Sequence, residues 1–221
     1  MPKSAQAGAA EFAAEIERRA RSLARRDTPG LRRLRREISH ATSGCSARDM
    51  LALARALLAG GTERFVAYEL VQHHPEAAAA LGARELERLG RGLSSWGDVD
   101  CFAVYLAGPT WRAGQVSDAL PRRWARSPDR WWRRAALVSS VPLNVQARGG
   151  AGDARRTLAI CRMLVADRDE MVVKALSWAL RALATRDAAS VREFLARHEA
   201  RLPALVLREV RNKLRTGRKA G

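Results

Sequence analysis

Apolar residues recur at three- and four-residue spacing along nearly the whole chain, the pattern of amphipathic helices with one buried stripe each. We read helices over 9–26, 29–40, 47–59, 62–74, 82–93, 95–107, 116–126, 129–141, 153–166, 169–185, 188–198 and 202–216. Pro29, Gly60-Gly61, Pro75, Gly108-Pro109, Pro128, Gly149-Gly150 and Pro203 fall between the periodic segments. Asp129, Asp153 and Asp169 stand where the following helices need an N-cap. Runs of β-branched residues are nearly absent and aromatics make up only 5% of the chain, so strands have little to be built from. The fold class is all-α.

The helices also repeat. "RFVAYELVQ" from Arg64, "DVDCFAVYLAG" from Asp98, "RWWRRAALVSS" from Arg130 and "MVVKALSWALRAL" from Met171 each begin with polar or aromatic residues and continue into an alanine-rich apolar stripe. Their starts lie 32 to 41 residues apart, near the period of helix-pair repeats of the HEAT or armadillo type. A helical hairpin cannot bury both faces alone, so stacking must supply the core. The expected architecture is a solenoid of about six antiparallel hairpins, with a basic concave face lined by the second helix of each pair. No long linker divides it. Residues 9–217 are expected as one domain, between a disordered tail over 1–8 and a basic tail over 218–221.

Charge narrows the partner. Forty Lys and Arg oppose 23 Asp and Glu, a net charge of +17. Such an excess favours a polyanion, and double-stranded DNA gripped by its phosphates is the expected partner. A GC-rich genome explains why the only lysines are Lys3, Lys174, Lys213 and Lys219, but not why positive charge exceeds negative. Cys45, Cys101 and Cys161 stand far apart without a CxxC pair, as small buried hydrophobes of a reducing compartment. Adjacent His73 and His74 point about 100° apart on a helix, which is poor for joint ligation. No metal and no cofactor are expected. "MPKSAQAGAA" lacks the apolar core of a signal peptide, and no stretch approaches the ~20 apolar residues that span a bilayer. The expectation is a soluble monomer in the cytoplasm, associated with the nucleoid.

Two stripes hold chemistry. Trp96 and Asp100, four residues apart, share a helix face; so do Lys174, Trp178 and Arg181, while Arg130, Arg133 and Arg134 cluster on another helix. If these helices line one concavity, it holds two indoles, a carboxylate and several cations. The plainer alternative makes the tryptophans core and the charges a solvated face. "RGGAGDAR" has glycines but no GK[ST] and no preceding strand. It reads as a connection whose amides and Arg148 meet phosphate, or as a flexible loop. Lys174 reads as a phosphate contact rather than a Schiff-base amine.

"SWGDVD", "RWWRRAALV" and "KALSWALR" resemble, in order, three signature segments of the AlkD-type DNA alkylation repair glycosylases, which are HEAT-like repeat proteins. The resemblance runs from roughly Gly30 to Arg215. It implies that Asp100 is the catalytic acid and that Trp96 and Trp178 pack against the lesion. It also implies that Arg134, or Arg133 one place earlier, contacts DNA, and that Arg181 matches the arginine of the last segment. Gly97 stands where the family has the first Asp of its WDxVD, and the loop "ARGGAGDARR" looks longer than usual. The activity implied is monofunctional hydrolysis of the N-glycosidic bond of cationic alkylpurines, without flipping the lesion into a pocket.

The chemistry suits the residues. A base such as N3-methyladenine or N7-methylguanine is already cationic and leaves neutral, so the remaining task is to stabilise an oxocarbenium-like sugar and position a water. A carboxylate does both, and indole faces attract polarised C–H surface. One charge pair at ~4 Å is worth about 4 kcal/mol at an effective dielectric of 20. Half of that, felt only in the transition state, gives a factor of about 30. Two other readings use the same surface: a non-catalytic binder of damaged or branched DNA, and a scaffold whose basic face meets an acidic protein.

Overall fold

A computed structural model describes residues 3–25 and 27–218. Among the described residues every regular element is helical. Contacts divide the chain into two compact units, residues 1–91 and 92–221. No boundary was expected inside 9–217, because "GRGLSS" around it is too short to look like a linker. Helix α1 starts at Lys3, so residues 3–8, expected in a disordered tail, are helical. Residues 1–2 of that tail, and 219–221 of the basic one, lie outside the described residues.

The first unit contains α1 (Lys3–Arg21), α2 (Thr28–Ala41), α3 (Ala47–Gly60), α4 (Arg64–Gln72), α5 (Pro75–Ala79) and α6 (Ala83–Leu89). Helix α3 packs on α1 and α4, and α2 packs on α4. Helix α4 ends at Gln72, ahead of Pro75 as expected, but Pro75 also opens a further short helix, α5, where its missing N–H is no loss. Buried His74 caps that helix, its Nδ1 accepting from the Ala77 amide at 3.1 Å, while His73 is exposed. The pair therefore does not act jointly. Glu69 on α4 accepts from Arg32 Nε at 2.9 Å and from Arg35 Nε at 3.2 Å, so the buried Arg35 of α2 is compensated across the interface.

The second unit begins with α7 (Trp96–Phe102), which runs through a π-helical turn, Ala103–Ala107, into α8 (Gly108–Arg112). Then follow α9 (Ala119–Ala125), α10 (Arg130–Val138), α11 (Ala154–Met163), α12 (Glu170–Ala184), α13 (Ala188–His198) and α14 (Ala204–Thr216). Asp129, Asp153 and Asp169 cap α10, α11 and α12 as expected, each accepting from an amide of the first turn. Helices α7, α10, α12 and α14 pack one on the next as a row, and α9, α11 and α13 back it. Behind the row, Phe102, Trp124 and Trp132 form an aromatic cluster with centroids 5.0–6.0 Å apart. Trp111 is also core, so for Trp111 and Trp124 the plainer reading holds. Cys161 is buried and burial pushes its thiol far up; Cys45 and Cys101 are half-buried.

Gly108-Pro109, expected as a break, lies inside the continuous rod. The Gly108 amide donates to Ala103 five residues back, and this wider turn relieves the clash a proline ring makes with the preceding turn. Glycine is required for a second reason: a Cβ at Gly108 would stand 2.7 Å from the Ser139 carbonyl oxygen and from Pro142 Cγ. Gly108→Ala is thus expected to cost about 1–3 kcal/mol by overpacking. Gly82→Ala, where a Cβ meets nothing within 4 Å, should be neutral or mildly stabilising. Urea denaturation of the two variants checks the contrast.

Candidate functional site

Ser95 caps α7, its Oγ accepting from the Asp98 amide at 3.1 Å, and this sets the direction in which the first turn presents its side chains. Trp96 is then 62% exposed, the exposed large hydrophobic residue among those described. Asp100 follows one turn later on the same face. Asp98, two residues from Asp100, is directed about 200° around the helix from it.

Asp100 is not alone. Arg134 of α10 grips it with a two-pronged fork, Nε to Oδ1 at 2.9 Å and Nη2 to Oδ2 at 2.8 Å. The third arm, Nη1, donates to the Met171 carbonyl of α12 at 2.6 Å. The Arg134 side chain is 6% exposed, that of Asp100 18%. A buried guanidinium needs a carboxylate, and this one has it in the bidentate geometry that is strongest. The two effects on Asp100 oppose each other. Burial pushes its carboxyl above the ordinary value of 3.8, while the hydrogen bonds and charge of Arg134 pull it part of the way back.

The other expected phosphate contacts are also engaged. Arg130 pairs with Asp169 at 3.2 Å and lies over the Trp131 ring at 5.4 Å. Arg133 pairs with Asp167 at 2.8 Å and donates to the carbonyls of Ser127 and Pro128. Lys174 pairs with Glu170 one turn back. Arg181 donates to Ser177 Oγ at 3.2 Å and pairs with Glu209 at 3.5 Å; burial makes it a weaker base than a free guanidinium, which Glu209 opposes. Arg148 differs. It is exposed, and its guanidinium lies 5.4 Å from the Tyr105 ring centre.

The structure therefore joins Asp100 to Arg134 and links α7, α10 and α12 through that one side chain. Half-buried Trp178 lies two turns beyond Met171 on α12. Sequence reasoning missed the acidic partners Asp167, Asp169 and Glu209, and the Met171 carbonyl. A signal existed for the acids. The pairs Arg134–Asp100, Arg133–Asp167 and Arg130–Asp169 are 34, 34 and 39 residues apart, within the spacing of the repeated segments. Among the described residues no group of three or more His, Cys, Asp or Glu could hold a metal ion, and no helix is long and apolar enough to cross a membrane.

An all-helical protein with a buried arginine fork on a carboxylate, one turn from an exposed indole, is the class these features define. The family model described as "DNA alkylation repair enzyme" matches residues 5–214, and the chain belongs to that family. No curated protein matches the chain.

Arg134→Ala would leave Asp100 ionised without its partner. It is expected to cost about 3 kcal/mol, the lower end for a broken buried pair because Asp100 keeps some access to solvent. The Asp100 carboxyl should also titrate at a higher pH than in wild type, which a carboxyl-carbon NMR titration reads directly. Titration of Asp100 at the wild-type pH would show that the fork does not reach it.

Proposed function

We propose that the protein is a monofunctional DNA glycosylase. It hydrolyses the N-glycosidic bond of cationic alkylated purines, of the N3-methyladenine and N7-methylguanine type, in duplex DNA. The observation that carries this reading is the Asp100 carboxylate, clamped by Arg134 one turn from exposed Trp96. DNA alkylation repair is the function of the family; the reaction and the residue roles are our inference.

In this reading the C1′–N bond breaks with its electron pair going to the base, which leaves neutral because it began cationic. Positive charge grows on the deoxyribose. Asp100 faces that charge and orients a water whose oxygen bonds to C1′, its proton passing to solvent or to the carboxylate. A carboxylate has about four lone-pair sites, and the fork of Arg134 uses two, so water and sugar still have somewhere to bind. Arg134 is a positioning residue: it holds the carboxylate in one orientation before the substrate arrives. Trp96 and Trp178 pack against the lesion nucleotide. Arg130 and Lys174, whose ion pairs are solvent-exposed and worth about 0–1 kcal/mol, can exchange their carboxylates for phosphates. Arg133 and Arg181 are held more tightly and contribute mainly field.

The row of α7, α10, α12 and α14 supports a HEAT-like solenoid whose inner helices face DNA as a basic concavity, with the protein acting as a monomer on the nucleoid in the cytoplasm. A second reading is favoured by the fork itself, since a bidentate pair is also what a purely structural contact looks like. On that view the protein binds damaged or branched DNA without cutting a glycosidic bond. A scaffold for an acidic protein is the third.

Release of labelled methylpurines from methylated duplex DNA decides among them. Wild type should release base, and Asp100→Asn should be slower by roughly 10²-fold or more. Asp98→Asn should matter little. Trp96→Ala should slow release roughly tenfold with no loss of thermal stability, because an exposed ring contributes little to the core. No release by wild type would favour the binder.

The pH dependence follows from the site. Excision needs Asp100 ionised, and its pKa is raised, so the rate is full above that pKa and falls as pH drops through it. The acid limb should have its midpoint above 3.8. A single-turnover rate profile checks this on a buffered duplex.

A further inference from the structure

The arginines near Asp100 are paired with carboxylates. Among the described residues, others in the second unit pair with no acid, and three of these meet at one loop. Arg112 ends α8, Arg148 lies in the α10–α11 connection, and Arg186 follows α12. All three are exposed, and among the described residues none of them pairs with an acid. Each instead holds the same loop through a neutral group. Arg112 Nη1 donates to the Gly149 carbonyl at 3.0 Å. Arg186 donates to the Asn144 carbonyl and to Gln146 Oε1, both at 3.2 Å. Arg148 lies over Tyr105, a residue of the π-helical turn.

The loop is built, not slack. Buried Asn144 donates to the Ser140 carbonyl and to Thr157 Oγ1, and accepts from the Asp153 amide, all at 2.9 Å. Gly149 and Gly152 have φ of +77° and +108°, which side chains disfavour. A Cβ at Gly150 would stand 2.3 Å from the Pro142 carbonyl oxygen. The loop thus gathers three guanidinium groups whose contacts there are all neutral, which leaves their charge available to an anionic ligand.

We propose that Arg112, Arg148 and Arg186 form a phosphate-binding ridge for the backbone of duplex DNA, along the edge where α8, α10 and α12 end, one rod length from Trp96. The rod from Trp96 to Arg112 is on the order of 25 Å long, so a duplex that reaches both meets the ridge at phosphates well removed from the indole. Arg148 is the member freest to contact phosphate, because the other two also tie down the loop. The phosphate contact adds to the proposed glycosylase reading and rests on it only for the identity of the DNA.

The test is fluorescence anisotropy of an undamaged duplex across a salt series. Variants are Arg148→Ala, Arg148→Lys, and Arg112→Gln with Arg186→Gln, the glutamines keeping a donor for the loop carbonyls. Wild type should show a steep log–log salt dependence. Arg148→Ala should make the slope shallower by about 0.9, and the double glutamine variant by up to about twice that. Arg148→Lys should keep the slope, since it keeps the charge. Arg192→Gln, on the α13–α14 groove, removes an equal charge elsewhere and should leave it unchanged. Circular-dichroism melts establish that the variants fold, and single-turnover base release by the control Arg192→Gln should stay within about twofold of wild type. A steep wild-type slope left unchanged by Arg148→Ala and by the double variant overturns the ridge, as does a flat wild-type response. Slopes that respond while wild type releases no methylpurine overturn the glycosylase reading and leave the ridge standing.

Discussion

The buried guanidinium of Arg134 is the constraint on which the second unit depends. Taken out of water, it must find a carboxylate, and the five donors of its planar fork admit few arrangements. Asp100 takes two of them and the Met171 carbonyl a third, so α7, α10 and α12 are fixed to one another through a single side chain. Such a pair adds little net stability, because desolvation offsets most of the attraction. Its value is positional. A carboxylate on a free rotamer would average over orientations, whereas this one is aimed, and electrostatic stabilisation of a transition state depends on dipoles and charges being set in advance.

The same device recurs along the chain. Glu69 receives Arg35 and Arg32 across α2 and α4 in the first unit. Asp167 receives Arg133, and Glu209 receives Arg181 and Ser177, in the second. The partners are separated by 32 to 37 residues in the hydrogen-bonded cases Ser177–Glu209, Arg133–Asp167, Arg35–Glu69 and Arg32–Glu69. Polar groups therefore tie α2 to α4, α10 to the segment leading into α12, and α12 to α14. Apolar stripes alone would let alanine-rich helices slide, since one methyl group packs much like the next; charged pairs at the repeat distance fix the register.

Much of this was legible before any coordinates. The helices fall close to their expected places because apolar periodicity and capping aspartates are local signals, and Asp129, Asp153 and Asp169 cap where they were read to. Trp96 and Asp100 share a face because four residues make about one turn. What failed was context. Gly108-Pro109 is a break by local rules, but a π-turn and the close backbone of Ser139 make it the middle of a rod. Arg134 was expected to contact DNA because the family resemblance implied it; its burial is a tertiary fact, set by α7 and α12 arriving on either side. The partners of Arg130 and Arg133 were 39 and 34 residues away, beyond any window in which helical spacing is counted.

Net charge is a poor guide to where a basic protein meets its partner, and this chain shows why. An excess of +17 invites every arginine to be counted toward DNA. Many are spent inside the protein instead, and an arginine already holding a carboxylate must lose that contact before it can gain a phosphate. The electrostatic attraction available to a duplex is therefore concentrated on cations whose partners are neutral or solvent-exposed. Arg112, Arg148 and Arg186 qualify by geometry, Arg130 and Lys174 by the weakness of exposed pairs. Arg130 and Lys174 lie at or near the N-terminal ends of α10 and α12, as Trp96 does on α7, and Arg112, Arg148 and Arg186 lie at or beyond the C-terminal ends of α8, α10 and α12. In the proposed reading, a protein that holds DNA by the margins of a helical surface needs no deep pocket for the reacting nucleotide, only one fixed charge, and the fork of Arg134 keeps the Asp100 carboxylate fixed in one orientation.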